Sequence, residues 1–447
     1  MEQSKQDFMK TKPIFPLLLS MGIPMMLSML IQSLYNIVDS IFVSRLGTDA
    51  LTAVSLIYPL QNVIVSVAVG IGVGISSVIS RHLGAGNQTD ANKAATIGMA
   101  LTVFHSFLFI LVGIFVTVPF LKLFTDNPSI LQMAAQYGKI VLCFSFGSLL
   151  QISMEKIFQA TGNMIATMLL LGTGCIINII LDPILIFGYF GAPALGVSGA
   201  AIATVIGQIA AFLLYIIVYK KMNIGVVISK RYLTVDGSII KQIYSVGIPS
   251  SIMTTLPSVL ISILNGLLIG FSDVYVAVLG IYFKLQTFIY MPANGIIQGL
   301  RPIVGYNYGA GEIKRMNQSI HYSLLLTAIL MGLGTVAALA FPVQILSLFD
   351  ADSALMESGV TALRIISLGF LISTFSIVYC GTFEALGKGK ESLIISLLRQ
   401  FIITIVLSYI LSGFFGVNGI WASFPIAEGI AAIAAIFLFL KTKKNLY

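Results

Sequence analysis

The chain has 447 residues, of which 57% are hydrophobic and only 9% charged, with a formal net charge of +8. A water-soluble core of this length does not require so few charges, so the composition excludes an ordinary soluble enzyme and indicates an all-α polytopic membrane protein. The basic residues are dispersed over many short loops, which excludes a nucleic-acid-binding face and makes the lipid bilayer the expected partner.

A helix crossing the hydrocarbon needs about 20 mainly apolar residues, because its backbone polar groups must be satisfied internally. Twelve such transmembrane helices are expected, at about 16–40, 52–80, 92–119, 132–158, 164–188, 196–219, 241–265, 277–305, 317–341, 357–380, 392–412 and 417–441. The polar stretch before the first of them leads into an apolar segment too long for a signal peptide and without a small-x-small cleavage site, so no cleaved signal is expected.

The first span carries Gln32, Tyr35, Asn36 and Asp39, whose spacing places them on one helical stripe. Charge within the bilayer is costly and needs a partner, water or a function. His105, alone in the third span, reads as a packing histidine, and Glu155, at the inner end of the fourth, as a salt-bridge partner of Lys156. The fifth span carries Asn178 and Asp182 one turn apart, and Pro183 biases Asp182 away from helical geometry. A break there would free carbonyl oxygens as additional ligands. The first and fifth spans run the same way, so Asp39 and Asp182 reach similar depth. With Asn178, and with Thr204 of the sixth span, they form a hard-oxygen cluster suited to Na⁺, or a carboxyl pair able to hold a proton. The competing readings are that the acids lie at the water interface and that Thr204 serves only in helix packing.

A polar linker at 221–240 separates an N-lobe, 1–220, from a C-lobe, 241–447. In the C-lobe the eighth span carries Gln286, Tyr290, Asn294 and Gln298 at successive one-turn steps, with Pro292 expected to kink it. This stripe faces either a wet cavity or neighbouring helices through hydrogen bonds. Lys284 either snorkels to the outer surface or faces the cavity. Glu384, at the inner end of the tenth span, is expected to pair with Lys388 or Arg399. Glu428, mid-way along the twelfth, is a candidate proton carrier or partner of a cationic substrate. Cys143, Cys175 and Cys380 lie within spans and read as packing residues. No histidine pair has zinc-site spacing, and Gly387-Lys388-Gly389-Lys390 is not a phosphate-binding P-loop, so transport would be driven by an ion gradient without a cofactor.

The chain repeats itself about 225 residues downstream. Gly22-Ile23-Pro24 falls on Gly247-Ile248-Pro249, Gly84-Ala85-Gly86 on Gly309-Ala310-Gly311, and Gln159-Ala160-Thr161-Gly162-Asn163 on Glu384-Ala385-Leu386-Gly387-Lys388. Each copy has an even number of spans, so two six-helix lobes related by a pseudo-two-fold axis along the membrane normal are expected, with a cavity between them. The copies differ in their polar residues. Asp39 and Asn36 become Leu264 and Ile261, Asn178 and Asp182 become Ile403 and Leu407, and Tyr290, Asn294 and Gln298 fall on Val65, Val69 and Val73. Placing both termini in the cytoplasm gathers Lys93, Lys156, Lys220, Lys221, Lys230, Arg231, Arg301, Arg315, Arg399 and Lys441 on that side. It leaves Arg45, Lys122, Lys139 and Arg364 outside.

The run from Gln32 to Asp39, the paired loops Gly84-Ala85-Gly86 and Gly309-Ala310-Gly311, Gln159 to Asn163, Asn178 to Asp182-Pro183, and Gly199-Ala200-Ala201 to Thr204 together resemble the MATE multidrug exporters over nearly the whole chain. The resemblance implies a MATE/MOP-type fold of twelve helices in two lobes. It implies a monomeric antiporter of a bacterial plasma membrane that exchanges drugs or organic cations for Na⁺ or H⁺, with Asp39, Asn178 and Asp182 as the coupling site. It also makes helices seven and ten candidates for acidic coupling residues, and this chain has only Glu384 there. The runner-up is a lipid-linked oligosaccharide flippase, which would need a basic cavity; Lys284 and Arg301 are the central candidates. An intramembrane enzyme would need a nucleophile or metal cluster, and the sequence suggests neither.

Overall fold

The computed structural model describes residues 7–349 and 352–444. After a short helix at Phe8–Thr11, the first half comprises α1 (Ile14–Ser44), α2 (Thr48–Gly84), α3 (Gln88–Phe115), α4 in two pieces (Pro128–Cys143 and Phe146–Ala160), α5 (Met164–Phe187) and α6 (Val197–Lys221). The second half comprises α7 (Gly237–Ile269), α8 (Asp273–Gly309), α9 (Ile313–Ala340), α10 (Ser353–Ala385), α11 (Gly389–Phe415) and α12 (Val417–Lys444). Among the described residues there is no strand, and 11 helices, or 12 with the bent α4, are long and apolar enough to cross a membrane. The all-α polytopic expectation therefore holds.

Three spans differ in detail from the sequence reading. α4 bends by 43° between its pieces, at a Ser145-Phe146-Gly147 step where a serine and a glycine weaken the helical ladder. α5 runs unbroken through Pro183. The expected break at Asp182 is absent; Pro183 withholds only its own N–H, which would have bonded the carbonyl of Ile179. Inside α11 a π-helical turn spans Leu398–Ile402, adding a residue to one turn and rotating the side chains that follow.

The contacts divide the chain into two compact units. The first contains Leu27–Ser251; the second contains Met9–Met26 and the chain from Ile252 onward. α1 and α7 thus each change unit just after the equivalent prolines Pro24 and Pro249. Small residues allow this. In the first unit, a Cβ on Gly70 or Gly74 of α2 would strike the Gly247 or Ile243 carbonyl of α7. In the second, a Cβ on Gly295 or Gly299 of α8 would strike the backbone of α1 at Met26 or Gly22. Both are the G-x-x-x-G close approach of membrane helices, and they coincide under the repeat. The repeated turns need glycine for a different reason: Gly86 and Gly311 have φ of 71° and 72°, a left-handed conformation that other residues avoid.

Residues that precede the exchanged helices are fastened within their own unit. In the first, the segment before α7 runs along α3. Gln88 Nε2 donates to the Gly225 carbonyl at 2.8 Å, and the Val227 N–H donates to Asn92 Oδ1 at 2.7 Å. The Ser229 N–H reaches Thr96 Oγ1 at 3.3 Å, and Lys93 pairs with Asp236 at 3.1 Å. In the second, Asn307 Nδ2 donates to the Met9 carbonyl at 3.1 Å and Arg315 Nη2 to the Lys12 carbonyl at 2.6 Å.

Candidate functional site

The first unit brings the sequence-derived acids together. Asp39 on α1 and Asp182 on α5 are electrostatic neighbours. Asp182 is fully buried and Asn178, one turn before it, nearly so. Asn178 Nδ2 donates to Thr204 Oγ1 of α6 at 3.3 Å, and Tyr35 lines the same cavity as both. With its amide nitrogen occupied, Asn178 presents its oxygen. Asn178 Oδ1, Asp39 Oδ1 and both carboxylate oxygens of Asp182 are buried and receive no hydrogen bond.

Such a set is unfavourable alone, because buried acceptors without donors cost about 1–3 kcal/mol each and more when charged. Two adjacent carboxylates also repel unless a cation lies between them. The chemistry that relieves both penalties is a hard monovalent cation bound by oxygen, or a proton shared by the pair. Tyr137 of α4, held by Gln61 Nε2 at 3.4 Å, lies within electrostatic reach of both acids. The place of Tyr137 near the acids was not visible in the sequence, where nothing distinguished it from a core aromatic.

A cavity of about 70 Å³ adjoins this cluster, lined by Gln32, Tyr35, Cys175, Asn178 and Thr204, with Gln151 of α4 and Gln208 of α6. That volume suits a few waters around a small cation, and it is well below the roughly 300–1,000 Å³ of drug-sized sites. Gln32 is exposed at its edge; Asn36, on the same stripe, is exposed outside it.

In the second unit the amide stripe divides. Gln286 Nε2 donates to the Tyr282 hydroxyl at 2.8 Å and Tyr290 donates to Ser373 Oγ at 2.9 Å, whereas Asn294 is exposed and Gln298 half-buried. Tyr290 instead meets Arg399 of α11, whose guanidinium lies 5.6 Å from its ring centroid. Arg399 Nε stands 2.9 Å from Glu428 Oε1 of α12. Glu428, read from sequence as a proton carrier or substrate partner, is thus buried in an ion pair. Arg399 corrects the sequence reading twice. The sequence reading places it on the cytoplasmic side, but it lies inside the bundle on the π-helical turn; and Glu384, expected to pair with Lys388 or Arg399, pairs with Arg301 at 2.6 Å. The overlooked signal was a basic residue within the apolar run 392–412.

The remaining ionisable groups are partnered or exposed. His105 Nδ1 donates to the Leu101 carbonyl at 2.7 Å, which leaves Nε2 to accept from Tyr244 at 3.4 Å. Lys284 is exposed, 6.0 Å from the Phe349 ring centroid. Glu155 pairs with Lys156, as the sequence suggested, at 3.1 Å. The cysteines are free.

The sequence profile of the MatE family matches residues 24–184 and 249–410. The chain belongs to the MatE family. The two matched segments begin at Pro24 and Pro249, so the family's unit is the repeat itself. Among its MatE relatives, the multidrug export protein MepA of Staphylococcus saprophyticus is 26% identical over 439 residues, covering 98% of this chain and 96% of the relative. MepA of Staphylococcus aureus strain N315 is 27% identical over 443 residues, with the same coverage. Among solved structures, a MOP superfamily transporter from Pyrococcus furiosus, described as having a binding pocket of reversed polarity, superposes with a TM-score of 0.92 at 25% identity. It covers 100% of this chain and 99% of that one. A multidrug resistance MATE transporter in an outward-facing conformation gives 0.93 at 24% identity, with the same coverage.

Proposed function

We propose that this MatE protein is a secondary exporter of amphipathic or cationic organic compounds, exchanging them for Na⁺ or H⁺ at Asp39, Asn178 and Asp182. It works as a monomer in a bacterial plasma membrane, with both termini cytoplasmic. Support for export comes from the relatives named as multidrug export proteins over nearly the full chain. Support for the coupling site comes from one observation above the others: four buried oxygens from Asp39, Asn178 and Asp182 converge without a donor.

In this reading the cation neutralises the acid pair, and Thr204 holds Asn178 with its oxygen turned toward the ion. Binding the cation draws α1 and α5 together at Asp39 and Asp182. Drug release follows if the cation-bound first unit holds drug less tightly, because an ion can shift a transporter only through its different affinity for the two states. The flippase reading needs a basic cavity, and of its two central candidates Arg301 is committed to Glu384. The test is uptake of a fluorescent organic cation into proteoliposomes under separate Na⁺ and H⁺ gradients. Either or both gradients drive uptake by the parent, and Asp39→Asn abolishes it while reconstituting normally. Undiminished uptake by Asp39→Asn would overturn the assignment.

A further inference from the structure

The cavity beside Asn178 and Thr204 points toward a second buried charged group in the same unit. Beyond Asn178 and Thr204 the cavity extends in one direction on every helix that lines it. It reaches Gln32 on α1, Cys175 on α5, Gln208 on α6 and Gln151 on α4. Because these helices alternate in direction, all four residues lie toward the end of the unit that carries the turns at 84–86 and 161–163.

One turn beyond Gln151 stands Glu155, buried, with its Oε1 accepting from Lys156 Nζ at 3.1 Å and from Gln159 Nε2 at 2.8 Å. Lys156 also donates to Gln159 Oε1 at 3.0 Å, closing a ring of three side chains. Cys175 of the cavity wall and Tyr215 of α6 are within electrostatic reach of Glu155. The ring is accommodated by design: a Cβ on Gly72 would meet Lys156 Cγ at 2.6 Å. A buried ion pair is a poor means of stabilising a helix bundle, and ionisable groups inside membrane spans mark ion pathways.

We propose that Glu155, with Lys156 and Gln159, is a second cation station in the first unit, and that the coupling cation passes between it and the Asp39–Asp182 pair through the amide-lined cavity. The proposal rests on the exchange reading above and adds the route by which the cation reaches or leaves the acids. Lys156 can keep its bond to Gln159 while Glu155 exchanges it for the arriving cation. Gln151 and Gln208 supply the amides that keep the intervening space wet.

The test uses the full-length protein in proteoliposomes. Gln151→Leu/Gln208→Leu fills and dries the cavity without touching the acid pair. Gradient-driven uptake is expected to fall by about ten-fold or more, while equilibrium drug binding stays within about two-fold of the parent. The polar variant Gln151→Asn/Gln208→Asn recovers most of the rate, and Glu155→Gln reproduces the loss. Uptake at the parental rate in the leucine variant overturns the route, as does failure of the asparagine variant to recover it or equal loss of drug binding. Asp39→Asn, run alongside, separates the two readings. If it transports normally, the exchange assignment itself fails; if it is inactive while the leucine variant is unimpaired, only the route fails.

Discussion

At the scale of single residues, the two units treat buried charge in opposite ways. In the first, Asp39 and Asp182 are neighbours, with Asp39 Oδ1 and both Asp182 oxygens lacking donors; in the second, Glu428 is matched by Arg399 at 2.9 Å. The first arrangement would be relieved by a cation or a shared proton, and the second contains its own countercharge. Removing one partner of a buried pair leaves the other uncompensated, so Glu428→Gln should destabilise the protein by about 3–5 kcal/mol. Replacing both, as Arg399→Met/Glu428→Met, should restore most of that loss. Thermal unfolding in detergent checks it, and a single variant as stable as the parent would contradict the account. The acids and their spacing could be read from the sequence because a charge in an apolar helix is conspicuous. Arg399 was misplaced because pairing is a property of three helices and one π-helical turn, which periodicity along a single helix does not encode.

At the scale of elements, the segment before α7 behaves as a strap along α3. Ile224 and Val226 are buried, and Gln88, Asn92 and Thr96, spaced one turn apart, bond its backbone. The sequence identified this stretch as a polar join, since its composition is that of a loop. Its attachment depends on side chains more than 100 residues earlier, which lay outside any local pattern. At the end of the strap, the hydrogen bond from Lys93, with those from the Ile239 and Ser238 N–H groups, holds the Asp236 carboxyl below the usual aspartate range. A group whose pKa is lowered by folding contributes stability that is complete above its unfolded value and disappears as pH falls through the lowered one. Limited proteolysis within 221–236 should therefore be slow at neutral pH and accelerate only on acidification below the normal aspartate range. Asp236→Asn should be cleaved faster at neutral pH and lose that dependence. Cleavage of the variant at the parental rate throughout would show that the contact does not hold the strap.

At the scale of the whole molecule, duplication supplies the frame and divergence supplies the chemistry. The glycine approaches at 22, 70 and 74 coincide with those at 247, 295 and 299, and the family profile begins at Pro24 and again at Pro249. The apolar spans and the duplication were legible in the sequence, because segment length and the repeated glycine motifs are written along the chain. Which helices pack through those glycines emerged only in the structure. The polar groups are not duplicated, and their partners emerged only when the helices were assembled: Tyr137 beside the acids, Gln151 and Gln208 along the cavity, and Arg301 against Glu384. The central claim is that cation and drug compete for the state of the first unit through Asp39. It is tested most directly by the drug dissociation constant of purified protein, titrated with Na⁺ at fixed pH and with pH at fixed Na⁺, in the parent and in Asp39→Asn. The account predicts that saturation with the coupling cation weakens drug binding by about 5–150-fold in the parent and leaves Asp39→Asn unchanged. A dissociation constant in the parent that is indifferent to both Na⁺ and pH would contradict it.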